Sequence, residues 1–404
     1  MGASCVRVDS IAMQPCHQAS IPASEIGRVG DGRTLILVTS YPGQPSCAEF
    51  ERQAAAGQRP RKDYVELARL LDADVVDDAY LAAKSTFLTR LIQRVAGRPA
   101  AQVVEALLRG GDYDHILAGA ERIGLPLAFL HKIAHLDRDL VLIAAWPSRA
   151  GKAFMLKRLQ VHTDLRAIVG YSSAQLEIAA SRLTVPRDKL QLLLQPVDER
   201  FWRPSPSMAS NLICSVGSTG RDYETLLSAV SGLDVELRIA VGSFDLADRA
   251  LERRLVKTGL PSNTTIRHLS PMELRDLYRS SRFVVLPLED VESDCGVTAL
   301  TEAMAMGKAV ILTRTRGQID VIEDGVQGIY VPPRDPQALR AAIEHLVAHP
   351  DEADRMGRAG RALAEERHTL TGFVERLAAT LRGEPIVPPG ADDRLRAATS
   401  SIGA

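Results

Sequence analysis

Residues 289–335 read EDVESDCGVTALTEAMAMGKAVILTRTRGQIDVIEDGVQGIYVPPRD, and this stretch decides the fold. The run just before it, residues 283–288 (FVVLPL), has the length and apolar content of a fully buried strand. The chain then turns polar and acidic up to Gly296, a residue that lets backbone approach a ligand closely. From Val297 the spacing of small and apolar residues is helical as far as Met306, and Gly307 is the stop signal. Residues 309–312 (AVIL) open the next buried strand. This order of strand, acidic loop, helix and strand puts Asp294 in the loop and Glu302, eight positions on, inside the helix.

That layout suits a nucleotide-sugar donor such as a UDP-sugar or GDP-sugar. The helix start around Cys295, Gly296, Val297 and Thr298 offers unpaired N–H groups and positive potential to a diphosphate. Glu302 can accept hydrogen bonds from both ribose hydroxyls, as acids do in dinucleotide folds. A loop carboxylate can do the same for sugar hydroxyls. The competing reading is an ordinary strand–loop–helix unit with solvated acids. A second turn, Gly217-Ser218-Thr219-Gly220-Arg221, follows the apolar run 211–216 (NLICSV). Its glycines free the backbone to approach a diphosphate, and Arg221 can chelate the oxygens with a planar fork.

Several pieces, in order, resemble the C-terminal signature of the retaining glycosyltransferases of family four. Glu302-Ala303-Met304-Ala305 and Gly307-Lys308-Ala309-Val310 stand where that family reads EAMA-x-GKPVI. Asp324-Gly325-Val326 and Val331-Pro332-Pro333-Arg334-Asp335-Pro336 match its later DGV and VPP-x-DP elements. The resemblance runs over about residues 211–380. It implies an α/β chain of GT-B architecture, with two Rossmann-like doubly wound domains facing a central cleft. It also implies transfer of a hexosyl group from a nucleotide sugar to a glycan, lipid or small-molecule acceptor, with retained anomeric configuration. The resemblance calls for neither a cofactor nor a required metal.

The chain departs from the family at three places. The family pairs two glutamates separated by seven residues; spacing from Glu302 puts Asp294 in the first position, whereas a register set on the glycine draws in Ser293 or Glu292. Asp294 and Glu292 are therefore both carried as catalytic candidates beside Arg221. Ser218 stands at the first member of a family basic pair and Arg221 at the second, with Lys308 or Arg316 as candidates to compensate. The family's first-domain histidine is missing, since the corresponding strand ends read Ala118-Gly119-Ala120-Glu121 and Ala145-Trp146-Pro147-Ser148. Glu121 and Trp146, with Tyr41 and Gly43 after the first strand, are thus the acceptor-side candidates. His131, His135 and His162 fall in helical or connecting segments, where structural roles are expected. Two further functions fit the same resemblance: a GT-B nucleotide-sugar epimerase, and a non-catalytic sugar-nucleotide-binding scaffold.

Composition agrees with this reading. A chain of 404 residues is too long for one core. Basic and acidic residues number 49 and 50, so bulk charge calls for no nucleic-acid partner. Five scattered cysteines form no disulfide framework, no CxxC metal spacing appears, and no DxD sits at a convincing strand end. No apolar run has the length of a membrane span, and the first thirty residues lack a signal core, so a cytoplasmic enzyme is expected. The basic run Arg149, Lys152, Lys157, Arg158 around Phe154 reads by default as a solvated helix face. Its alternative is a weak peripheral contact with the inner face of a membrane. The expected organisation is a flexible leader (1–32), an acceptor-side domain (33–200), a donor-binding domain (205–366), a helix packing back on the first domain (367–383) and a disordered tail (384–404). One long helix is expected from about Leu81 to Arg109.

Overall fold

Short apolar runs, rich in Val, Ile and Leu, are the strands of two parallel sheets. The computed structural model describes residues 33–39, 44–136, 138–205, 211–241, 246–318 and 320–384. Tyr41, Gly43, the leader 1–32 and the tail from 385 lie outside the described residues. In the first sheet are β1 (Thr34–Leu37), β2 (Asp74–Val76), β3 (His115–Ala118), β4 (Asp139–Ala144), β5 (Ala167–Gly170) and β6 (Leu190–Leu192). Their spatial order is β2-β1-β3-β4-β5-β6. In the second are β7 (Leu212–Val216), β8 (Glu236–Val241), β9 (Thr264–His268), β10 (Val284–Leu286), β11 (Val310–Thr313) and β12 (Gly328–Val331), in the order β12-β11-β10-β7-β8-β9.

Both faces of each sheet are covered, which is why these strands read as continuous apolar runs rather than alternating ones. Leu35 and Leu37 of β1 join one core cluster while Ile36 between them joins another. Likewise Val284 and Leu286 of β10 face one layer of helices and Val285 the other.

Two chain crossings tie the halves together. Val197 donates to the His368 carbonyl and accepts from the Leu370 N–H, so the linker out of the first sheet pairs with the segment returning from the second. Helix Leu370–Leu381 then packs Phe373, Val374 and Leu377 against Ile36, Leu67 and Leu117 of the first half. Arg61 fixes the linker by binding Asp198 at 2.7 Å and Glu199 at 3.4 Å.

The expected helix 81–109 is three helical pieces. A first helix, Asp78–Lys84, is followed by Phe87–Arg109, which is broken at Gly97. Gly97 takes φ 83° and ψ 175°, a conformation essentially reserved for glycine, and Pro99 brings no N–H to the ladder. Apolar spacing alone does not register such a break.

Gly357, in helix Pro350–Arg367, lies on the backbone of the turn that ends helix Val297–Ala305. A Cβ there would sit 2.1 Å from the Gly307 carbonyl oxygen. Alanine normally improves on glycine in a helix interior by about 1 kcal/mol. Here Gly357→Ala is expected to destabilise by about 1–3 kcal/mol instead, because backbone on both sides has to shift. Chemical denaturation measures this, and a stabilised variant contradicts the packing.

Candidate functional site

The second sheet reverses its direction of growth between β7 and β10, which are neighbours although β8 and β9 separate them in sequence. Open α/β sheets bind ligands at such switch points, beyond the carboxyl ends of the strands. The loops leaving these two strands lie against each other: Arg221 bridges Leu288, Asp222 N–H donates to the Pro287 carbonyl and Glu289 N–H to that of Gly220.

Arg221 is the centre of this junction. It is 6 % exposed, and its Nε and Nη1 donate to the Val216 and Thr219 carbonyls, each at 2.9 Å. Among the described residues it makes no ion pair. Two glycines make room for it. Gly217, at φ 99°, would put a Cβ 2.5 Å from Nη2; Gly296, at φ 92°, would put one 3.3 Å from Nη1. Gly296 is also the N-cap of helix Val297–Ala305, and no side chain caps that end. A buried guanidinium and an uncapped helix N-terminus thus share one spot, next to Val297 and Thr298. Cys295 packs over Gly220 and meets the Ser293 hydroxyl at 3.1 Å.

The two principal acids differ in surroundings from Glu292. Burial pushes the Glu302 carboxyl up to about 7, against a pull downward from the Tyr278 hydroxyl at 3.0 Å and the charge of Lys62 in the first half. Burial pushes Asp294 up to about 6; a backbone hydrogen bond opposes this and the charge of Glu121 adds to it. Glu292 instead faces helix Ser173–Leu183, binding Arg182 at 3.1 Å, with Arg316 at 3.9 Å. Its carbonyl accepts from Gln175. Two further contacts close the same seam: Ser172 Oγ donates to the Gly317 carbonyl, and Ser173 donates its N–H and hydroxyl to Asp320.

Neither compensating cation joins Arg221. Lys308 donates to the Arg279 carbonyl at the far end of the helix from Gly296, about 13 Å away by helix rise. Arg316 pairs with Asp290 at 3.2 Å.

On the first-domain side, Glu121 is buried and accepts from the Trp146 N–H at 2.7 Å and from Lys152 at 3.0 Å. These acceptor-side candidates therefore meet each other, with the Arg149 guanidinium 5.3 Å from the Trp146 ring centre. His131 and His162 are buried, and burial lowers both. Sequence reasoning missed Asp63, Lys62, Tyr171 and Tyr278. Burial raises the Tyr171 hydroxyl far up, and Asp63, Asp294 and Glu121 add to it, so carboxylates from both domains surround that ring. Nothing local in the sequence marks these four, whose neighbours are distant in the chain.

Residues 210–349 match the family described as Glycosyl transferases group 1. Solved structures match nearly the whole chain. HepE of Anabaena, crystallised with UDP and glucose, superposes with a TM-score of 0.65 at 16% identity, covering 86% of this chain and 99% of that one. Sucrose-phosphate synthase of Thermosynechococcus elongatus gives 0.64 at 16% identity, covering 87% and 98%. The fold is GT-B. Curated relatives match over shorter stretches. D-inositol 3-phosphate glycosyltransferase of Segniliparus rotundus is 30% identical over 136 residues, 33% of this chain and 30% of that one. Alpha-D-kanosaminyltransferase of Streptomyces kanamyceticus is 28% identical over 163 residues, 40% and 38%. The chain thus spans roughly a third of the length of these relatives.

A raised Glu302 has a measurable consequence. A carboxyl whose folded value lies above its unfolded 4.5 binds more protons folded than unfolded between about pH 4.5 and 7. Stability is therefore lost as pH rises through that window. Glu302→Gln stays neutral and keeps an acceptor for Tyr278. Its stability relative to wild type is expected to increase steadily from pH 4.5 to 7 and then level off, as followed by denaturant melts. A pH-independent difference contradicts the burial of a charge there.

Proposed function

We propose that this GT-B protein transfers a sugar from a nucleotide donor, of the UDP or GDP type, to a glycan, lipid or small-molecule acceptor. The donor lies in the cleft, mostly on the second domain. One observation carries the reading: a buried guanidinium with no carboxylate partner among the described residues, beside an uncapped helix N-terminus at the switch point. A diphosphate supplies the missing counter-charge to both. The similarly folded HepE, crystallised in complex with UDP and glucose, supports a nucleotide ligand.

Each side chain then has a task. Glu302, held by Tyr278, accepts from the ribose hydroxyls. Asp294 faces the cleft and accepts from hydroxyls of the transferred sugar, whereas Glu292 holds the seam through Arg182. Arg221 and the N–H groups near Gly296 meet the negative charge that grows on the diphosphate as the glycosidic bond breaks. Bond cleavage needs no metal if those groups neutralise the leaving group, and retained configuration follows from the sequence resemblance. Glu121, fixed by Lys152, positions the Trp146 loop on the acceptor side.

Thermal-shift screening against UDP, GDP, ADP and their sugars identifies the donor, since a ligand well above its dissociation constant stabilises by a few kcal/mol. With that donor, Glu302→Ala is expected to weaken binding roughly ten- to a hundredfold, as loss of a hydrogen-bonded charge does. Arg221→Ala is expected to lower kcat more than it raises KM. Stabilisation by no nucleotide, or unchanged donor affinity and turnover in both folded variants, overturns the proposal.

Donor affinity should also depend on pH. Only ionised Glu302 accepts from two hydroxyls, so affinity for the nucleotide sugar is expected to rise from pH 6 to 8 with a midpoint near about 7. Tyr278→Phe removes the bond that favours the anion and should move the midpoint upward, as calorimetric titration measures. Turnover should survive EDTA; activity lost on chelation and restored by Mn²⁺ contradicts the metal-independent step.

A further inference from the structure

Residues 87–96, ahead of the Gly97 break, are turned inside out relative to an ordinary surface helix. Phe87 is 79 % exposed, Leu88 49 %, Leu91 46 % and Val95 79 %. Thr89, in contrast, is fully buried. Its hydroxyl donates to buried Glu105 at 2.6 Å and meets Thr86 at 2.8 Å, so a polar chain anchors the inner face of this segment. At the helical turn per residue, the four apolar side chains cover an arc of about 100°, with Thr89 opposite. Arg94 and Arg90 lie along one edge of that arc and are exposed, as is Lys84 just before it. From Ala79 to Val104 the chain carries no acidic residue.

We infer that the outward face of residues 87–96 docks this protein on an anionic membrane surface. An apolar stripe edged with arginines fits the headgroup boundary, where the stripe enters the acyl region and the cations meet lipid phosphates. Charge decides between occupants. A second copy would bring Arg90 and Arg94 against the same arginines, whereas an anionic leaflet neutralises them. Among the described residues no helix is long and apolar enough to cross a membrane, so this contact lies on the surface. The basic run at 149–158 is a poorer candidate. Lys152 is committed to Glu121 and Arg149 lies over the Trp146 ring. The inference stands apart from the sugar-transfer reading, because it concerns an outer helix rather than the cleft.

The test is flotation of the full chain with phosphatidylcholine vesicles, with and without phosphatidylglycerol. Wild type is expected to float with the anionic vesicles at low salt and to be released by high salt. Leu91→Glu and Val95→Glu should each lower partitioning about tenfold, as loss of one buried apolar side chain does. Arg90→Ser and Arg94→Ser should lower it about fivefold each. Lys157→Glu with Arg158→Glu should leave it unchanged. All substituted side chains are exposed, and circular dichroism melts confirm that each variant folds. Failure of wild type to float with anionic vesicles overturns the inference. So does undiminished flotation of the Leu91→Glu and Val95→Glu proteins. A concentration-dependent dimer in vesicle-free solution that Leu91→Glu dissociates assigns the face to a second copy and overturns it equally.

Discussion

A positive charge held out of water, with no negative partner among the described residues, is the constraint around which the second domain is arranged. Removing a guanidinium from water costs several kcal/mol even after relaxation. Around Arg221, among the described residues, main-chain carbonyls answer that cost. The side chain fits because the residues on either side of it have no Cβ, and both take φ values that other residues rarely adopt. That in turn requires the loops after β7 and β10 to touch, which the strand order provides. Placing the N-terminus of helix Val297–Ala305 at the same spot adds more positive potential. The guanidinium and the helix terminus both lack a negative partner among the described residues, and the proposed diphosphate would answer both.

The cleft is defined from both sides by two kinds of tether. The paired crossings at Val197 and Thr369 are backbone contacts near the linker, whereas the seam contacts are side-chain bonds across the cleft mouth. Asp320 is the most telling of the latter. It accepts from the first-turn N–H and hydroxyl of Ser173, so a second-domain residue caps a first-domain helix. Glu292 and Asp294 are two residues apart in one loop yet divide between these tasks. Glu292 serves the seam, and Asp294 sits near enough to the buried first-domain acids for Glu121 to raise it.

The strands were legible in the sequence because a parallel sheet covered on both faces needs unbroken apolar runs, which few other elements produce. Glu302 and Arg221 were legible because each follows a strand end and a glycine. What periodicity missed has two physical origins. A glycine break such as Gly97 leaves the apolar count of its helix intact, and a polar inner face such as that of Thr89 reverses the usual inference about which side is buried. Partners distant in the chain are the other cause. Lys62 acts on Glu302 and Asp63 on Tyr171, while Lys152 holds Glu121, and no local pattern announces these encounters.

On the proposed function, the charges in the cleft also distinguish an intact donor from a used one. A nucleoside diphosphate brings counter-charge for Arg221 and ribose hydroxyls for Glu302, so it answers the second domain's requirements by itself. It brings no further hydrogen-bond donor for Asp294, which burial and Glu121 push up to about 6 against one backbone hydrogen bond. Sugar hydroxyls supply such donors and favour the carboxylate. In the proposed site, discrimination of donor from product would therefore rest on Asp294 and the nearby Glu121, while affinity for both would rest on Arg221 and Glu302.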